Sequence, residues 1–252
     1  MSGTVYLVGA GPGAPDLLTL RAARLLERAD IVFYDALVHA DTLALAAKAE
    51  KIAVGKRCGR HSTAQRFINK RLVDAAYRHD VVVRLKGGDP MLFGRAQEEI
   101  DVLRAAGVPC EVVPGITAAL AASATLGISM TRRGLSRSVA FATPRTGAGE
   151  AGHDWARSLL AAETAAIYMG VGEAGVIAAT LIGRGASPEL PAVIVENASL
   201  PDERRLHTRL ADLGEAAASD IRGPAIILLG EVYARADSLS PAAAAPQGIL
   251  AA

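Results

Sequence analysis

TVYLVGAGPGAP, Thr4 to Pro15, followed by DLLTLRAARLLERA to Ala29 and IVFYD to Asp35, decides the fold class. Thr4–Val8 is a short β-branched apolar run that reads as a strand. Glycines at 9, 11 and 13 mark a tight turn that needs backbone freedom, and Asp16–Ala29 reads as a helix with Leu18, Ala22, Leu25 and Ala29 on one face. Asp30–Tyr34 is a second strand, ending at Asp35. The pattern continues outward. Strand-like runs occur at Lys51–Val54, Val81–Leu85 and Glu111–Val113. A helix is predicted between Ser62 and Arg78, opened by a Ser62–Gln65 capping box, and another from Met91 to Ala106, stopped by Gly107. Strands alternating with helices imply crossover connections and a mostly parallel sheet.

After Pro114-Gly115 the texture changes. A small-residue helix, Thr117–Leu126, precedes strand candidates at Ser138–Thr143, Ala165–Met169, Ala192–Val195, Leu206–Leu210 and Ala225–Leu229. The expected organisation is two α/β domains, 1–115 and 116–236, with a ligand cleft between them, and a low-complexity disordered tail, 237–252.

With 27 Lys+Arg against 26 Asp+Glu in 252 residues, the net charge of +1 supplies no global field for nucleic acid or an anionic membrane. Anion recognition must come from local clusters. Two cysteines, Cys58 and Cys110, make neither a disulfide framework nor a zinc pattern, and a metal is not expected. No apolar run approaches the ~20 residues of a membrane span. The N-terminus lacks a basic leader, so the expected location is the cytoplasm.

The glycine loop fits a dinucleotide fingerprint, with Asp35 about where a ribose-binding acid belongs, so an NAD-binding oxidoreductase is one reading. Pro12, which has no N–H for a pyrophosphate, and Pro15 count against it. KGGDP (86–90) and PGIT (114–117) are further strand-end loops. The Gly87-Gly88 pair lets a ligand approach the backbone, while Asp89 either accepts hydrogen bonds from a ligand or caps the next helix. Thr117 carries the same two options. Three such loops without a Walker pattern point to a nucleoside-bearing ligand held largely by backbone.

The segments VGAGPGAPDLLTLRA, VGKRCGRHS with Gln65 and Ile68-Asn69, RLKGGDPMLFGR, VVPGITAA, YMG, VEN and GPAIILLG, in this order from Val5 to about Arg235, resemble the tetrapyrrole methylase family. The resemblance implies an S-adenosyl-L-methionine-dependent C-methyltransferase with two α/β domains that acts as a homodimer. Gly55-Lys56-Arg57 with His61, Gln65 and Asn69 is more similar to members acting on uroporphyrinogen III than to those methylating later precorrins. The implied activity is two successive methylations, on carbons 2 and 7, giving precorrin-2 for sirohaem or cobalamin. Methylation of a later precorrin is the alternative within the family. Carried over residue by residue, Pro12, Gly87, Gly88, Asp89, Leu92, Thr117 and Ala118, with Met169, Ala198 and Ala225, would contact the methyl donor. Asp35 matches the proton acceptor and Lys56 the proton donor.

Thr143-Pro144-Arg145, Thr131-Arg132-Arg133 and Ala198-Ser199 depart from the family's usual Thr-Gly-His, Thr-His-Arg and Gly-Thr. The first two exchange histidine for arginine on the presumed substrate side. Several alternatives stand beside these roles. Asp35 reads equally as a helix cap, Lys56 as a point charge for a propionate, Met169 as core packing, and His61 as an ordinary loop histidine. Arg57, His61 and Arg95 are the candidates for the substrate's carboxylates, with Glu98 placed to orient Arg95 through an i, i+3 pair. The length leaves no room for the dehydrogenase/chelatase module fused to some family members, so methylation alone is expected. A sensor that binds the adenosyl ligand without turnover is the non-enzymatic alternative.

Overall fold

A computed structural model of the chain describes residues 2–55, 65–146 and 152–234. They form two compact units. The first holds the described residues up to Ala121 together with Asn197–Glu203, and the second those of Ala122–Glu196 and from Arg204 onward.

In the first unit β1 (Thr4–Gly9), α1 (Leu20–Arg28), β2 (Ile31–Tyr34), α2 (Ala40–Ala44), β3 (Glu50–Ala53), α3 (Gln65–Ala76), β4 (Val81–Lys86), α4 (Ala96–Ala105) and β5 (Cys110–Val113) follow in order. All five strands are parallel, in the order β3-β2-β4-β1-β5, as crossover connections require. Strand alternation sends Val8, Val83 and Leu85 to one face, where they pack with Ala22, Leu25 and Leu26 of α1. Val5, Val82 and Phe33 go to the other, against Ile68 and Leu72 of α3 and Leu103 of α4. The helices that follow the neighbouring strands β1 and β4 therefore lie on opposite faces. The strand tips at this switch point are where open α/β sheets place ligands.

Two helices begin later than their apolar patterns suggest. The helix expected from Asp16 starts at Leu20, because Pro15–Leu17 closes a 3-10 turn, Leu18 is extended, and the Thr19 side chain accepts the Ala22 N–H as the cap. The helix expected from Met91 starts at Ala96. Residues Met91–Arg95 fold as turns instead, with Phe93 and Arg95 at positive φ. Its end is as expected: Gly107 has φ +66°. The start of α3, including the Ser62 capping box, lies outside the described residues.

Helix α5 (Ala118–Leu126) leads into the second unit, whose elements are β6 (Val139–Ala142), α6 (Trp155–Leu160), β7 (Thr164–Ile167), α7 (Ala174–Gly183), β8 (Pro191–Glu196), β9 (Arg204–Arg209), α8 (Leu213–Ala217) and β10 (Ala225–Gly230). The sheet order is β6-β7-β10-β8-β9, and only β6 and β7 run parallel. The sheet packs Ile167, Ile194 and Ile227 against Ile177 and Leu181 of α7 and Leu213 of α8. Strand β7 ends at Ile167, so Met169 is not a strand residue; it sits beyond the end at φ +56°.

Candidate active site

Three loops converge at the carboxyl ends of β1, β4 and β5. Gly11 and Gly88 exchange backbone hydrogen bonds, Gly88 N–H to Gly11 O at 2.7 Å and Gly11 N–H to Gly88 O at 3.2 Å, while Ala10 N–H donates to Lys86 O at 2.7 Å. A Cβ on Gly9 would lie 2.6 Å from Gly115 Cα and 2.7 Å from Gly88 O, so the three backbones touch and only glycine fits. Asp89 holds the second and third loops together, its Oδ2 accepting from Gly115 N–H at 2.9 Å and its Oδ1 from Met91 N–H at 2.8 Å. Asp89 is thus a clamp between loops and the cap of a turn; the next helix starts too far along to be capped by it. Leu92 N–H closes that turn onto Asp89 O. Thr117 O receives Leu120 N–H and Ala121 N–H, which makes Thr117 the capping position of α5, with Ala118 as its first helical residue.

A fourth piece comes from far along the chain. The Ser199 hydroxyl accepts the Ala14 N–H at 3.1 Å, and a Cβ on Gly13 would be 2.8 Å from Leu200 Cγ. Ala198, buried between Asn197 and Ser199 at φ +52° and +73°, is therefore part of the first unit. The glycine loop is also separated from α1 by the Pro15–Leu17 turn, so it does not deliver a pyrophosphate to a helix N-terminus. This geometry speaks against the dinucleotide reading.

Asp35 lies at the tip of β2, on the neighbouring edge. Its N–H donates to Leu85 O at 3.2 Å, and Leu37, two residues on, packs on Gly87. The helix that follows, α2, is capped by the His39 side chain, so Asp35 is not its cap. Its Oδ1 accepts from Arg84 Nη2 at 2.6 Å, with the carboxylate 28% exposed and Arg84 buried. Arg84 Nε donates to Glu99 Oε1 at 3.1 Å. Lys86 Nζ donates to both Glu99 oxygens at 3.1 Å, and Gln65 Nε2 to Oε1 at 3.0 Å. Burial, with the Arg84 charge beside it, pushes the Lys86 ammonium below the usual lysine range, and Glu99 opposes the shift.

The model of the family Tetrapyrrole (Corrin/Porphyrin) Methylases matches residues 4–214. The chain is a tetrapyrrole methylase. It is 45% identical to the siroheme synthase of Psychrobacter sp. strain PRwf-1 over 94% of this chain and 49% of that protein. It is equally similar to the siroheme synthase of Zymomonas mobilis, over 94% and 50%. The chain thus spans about half the length of the curated relatives it matches. Among solved structures, uroporphyrin-III C-methyl transferase from Thermus thermophilus complexed with S-adenyl homocysteine superposes with a TM-score of 0.81 at 45% identity, covering 92% of this chain and 99% of that one. A cobalt precorrin-4 methyltransferase gives 0.80 at 30% identity, covering 91% and 95%.

In this tetrapyrrole methylase the first unit gathers Pro12, Gly87, Gly88, Asp89, Leu92, Thr117, Ala118 and Ala198, with Asp35 at the adjacent tip. Met169 and Ala225 belong to the second unit, Met169 in the turn after β7 and Ala225 opening β10 opposite Glu196. Arg95 is forked onto Glu98, with Nε and Nη2 at 2.7 and 2.8 Å from its two oxygens, as the i, i+3 spacing suggests; this hydrogen bonding holds the Glu98 carboxyl below its ordinary range. Lys56, Arg57 and His61 lie outside the described residues. The sequence reading passed over Arg84, Lys86 and Glu99. Two basic residues alternating inside the run VVVRLK were the available signal, since a strand buried on both faces has no other reason to carry them.

Proposed function

We propose that the chain is an S-adenosyl-L-methionine-dependent C-methyltransferase that methylates uroporphyrinogen III at carbons 2 and 7, giving precorrin-2 by way of precorrin-1. The observation that carries this reading is the backbone contact of Gly9, Gly88 and Gly115 at the switch point, with an arginine-paired carboxylate on the next strand tip. The cradle suits a flat, nearly neutral adenosyl group. It is lined by glycine backbone, and its first loop is set apart from the N-terminus of α1 that a pyrophosphate would need, which fits the donor better than a dinucleotide.

Pro12, Gly87, Gly88, Leu92, Thr117, Ala118 and Ala198 would hold the donor, and Asp89 keeps two of their loops in register. Bound there, S-adenosyl-L-methionine supplies an electrophilic methyl group on a sulfonium. The pyrrole carbon of a porphyrinogen is already electron-rich, so the protein's main task is alignment in a site screened from water. Asp35 takes the proton that the macrocycle must lose after each methylation, Lys56 serves as donor, and Arg57, His61 and Arg95 face the substrate's carboxylates. We infer a homodimer in the cytoplasm acting on a small-molecule substrate, without nucleic-acid or membrane partners; light scattering on the purified protein checks the dimer.

The reading is tested by incubating the protein anaerobically with uroporphyrinogen III and the donor, then recording the product's mass. A gain of two methyl groups is expected. No gain with uroporphyrinogen III, but methylation of a later precorrin, would move the protein elsewhere within its family. Tight binding of NAD with none of S-adenosyl-L-homocysteine would overturn the donor assignment.

A further inference from the structure

Strand β4 carries an arrangement that folding alone does not explain. Val82, Arg84 and Lys86 point to one face, and below them Val82 joins an apolar cluster with Phe33, Leu72 and Leu103. Two strand positions higher, the same face turns into a buried charge cluster at the edge where ligands bind. Glu99 is 0% exposed, Arg84 2% and Lys86 3%. Replacing such a cluster with packed apolar side chains is often neutral or stabilising, so these charges need another account.

The geometry supplies one. Arg84 sits opposite Phe33 in the β2–β4 register, one step below the residue that ends β2. Its guanidinium is held on three sides: Nε by Glu99, and Nη1 by Leu85 O at 3.2 Å and Phe33 O at 3.5 Å. That leaves Nη2 aimed at Asp35 Oδ1. Glu99 is itself fixed by Lys86 and by Gln65, which also binds Asn69 Oδ1 at 2.9 Å. Among the described residues the cluster carries two cations and two anions, and Asp35 is the member that reaches solvent.

We propose that Arg84 is a positioning residue for proton removal, with Glu99 as the group that orients it. This rests on the reading of Asp35 as proton acceptor. Arg84 holds Oδ1, which fixes the plane of the carboxylate and assigns the proton to Oδ2. In the step itself methylation makes the substituted ring carbon quaternary and leaves the pyrrole ring cationic; a C–H bond of the adjacent bridging methylene then breaks, its electron pair neutralises the ring, and the proton goes to Oδ2. Asp35 is then neutral, the cluster is left with one excess buried cation, and that charge drives release of the proton to water before the second methylation.

The test is a double-mutant cycle on the full chain, assayed by turnover of uroporphyrinogen III with S-adenosyl-L-methionine and by calorimetric binding of S-adenosyl-L-homocysteine. Arg84→Lys keeps the charge but cannot span Asp35 and Glu99 together. It is expected to lower kcat about tenfold, within the range for coupled contacting residues, and to leave the KM for the donor and the affinity for S-adenosyl-L-homocysteine within twofold of wild type. Asp35→Asn is expected to lower kcat about 100-fold, and adding Arg84→Lys to it to cost less than a further twofold. Should Arg84→Lys not fold, Glu99→Gln takes its place in the cycle, with the same signature. An Arg84→Lys rate within twofold of wild type, or losses that multiply in the double variant, overturns the positioning role while leaving Asp35 in place. An Asp35→Asn rate equal to wild type overturns the acceptor reading itself, and the positioning role with it.

Discussion

Gly9 and Gly107 are both glycines at the end of an element, and they are glycine for opposite reasons. Gly107 has φ +66° and open space around its Cα, so Gly107→Ala costs only the left-handed strain, about 1 kcal/mol, visible as a small drop in Tm with ligand binding unchanged. Gly9 is pressed against Gly115 and Gly88, and a methyl there must push backbone apart. Gly9→Ala is expected to weaken S-adenosyl-L-homocysteine binding at least tenfold by calorimetry and to lower Tm more than Gly107→Ala does. Equal effects of the two variants would show that the loops are not in obligatory contact. Cys110 gives a pH test at the same scale. Burial pushes its thiol up to about 11, chiefly because the thiolate cannot be solvated, and the nearby Glu99 and Glu111 charges add to this. Reactive thiolate is therefore scarce below that value and appears as pH rises through it. In a Cys58→Ser variant, alkylation by iodoacetamide should be slow at pH 8.5 and accelerate up to about pH 11, followed by mass spectrometry under conditions where circular dichroism shows the fold intact. Glycine loops were legible in the sequence because glycine and proline announce backbone geometry directly. The Arg84–Glu99–Asp35 cluster was not, because its members are 49 and 15 residues apart and only folding brings them together.

At the scale of elements, the first sheet could be read from the chain and the second only in part. Parallel strands in the first unit are separated by helices with a clear apolar face, such as Ala22, Leu25 and Leu26 of α1. Helix α7 buries Ala174, Ile177, Ala178 and Leu181 at helical spacing, but Val176 is exposed and Ile182 is also apolar, so the periodicity is blurred. The antiparallel pairing of β10 with β7 and β8 left no local mark, since these partners are remote in sequence. Helix starts differ from the apolar pattern where apolar residues precede the cap: Leu17 and Leu18 look helical, yet Leu17 closes a 3-10 turn, Leu18 is extended, and the α-helix begins only after Thr19. That cap gives a prediction. Thr19→Ala removes the acceptor of the Ala22 N–H and is expected to destabilise the protein by about 1 kcal/mol in urea, whereas Thr19→Asp, which keeps a side-chain oxygen and adds charge at the helix start, should equal wild type or exceed it. A loss of equal size in both would mean that the hydroxyl matters for something other than the cap.

For the molecule as a whole, the telling fact is that the first unit is not one stretch of chain. Asn197–Glu203 leaves the second sheet after β8, lies against the glycine loop through Ser199 and Leu200, and returns as β9. Its shape is held from within: the Ser199 N–H donates to Glu203 Oε2 at 2.7 Å, and the Asn197 side-chain amide to Asp202 Oδ2 at 2.8 Å. If the site is the one proposed, a ligand gripping the strand tips must protect this segment together with loops 79 or more residues away in sequence. Hydrogen exchange with and without S-adenosyl-L-homocysteine measures it. At 100 times Kd, binding stabilises the liganded state by about 2.7 kcal/mol, which caps the extra protection near 100-fold. Slowing is expected in four places at once, around Gly9–Ala14, Gly87–Leu92, Gly115–Ala118 and Asn197–Glu203, because opening any one of them would break the cradle. Ser199→Ala should reduce the effect at both Ala14 and the 197–203 segment, since one hydrogen bond joins them. Protection confined to the first three stretches would remove Ala198 from the site and make the excursion of the chain a matter of packing alone.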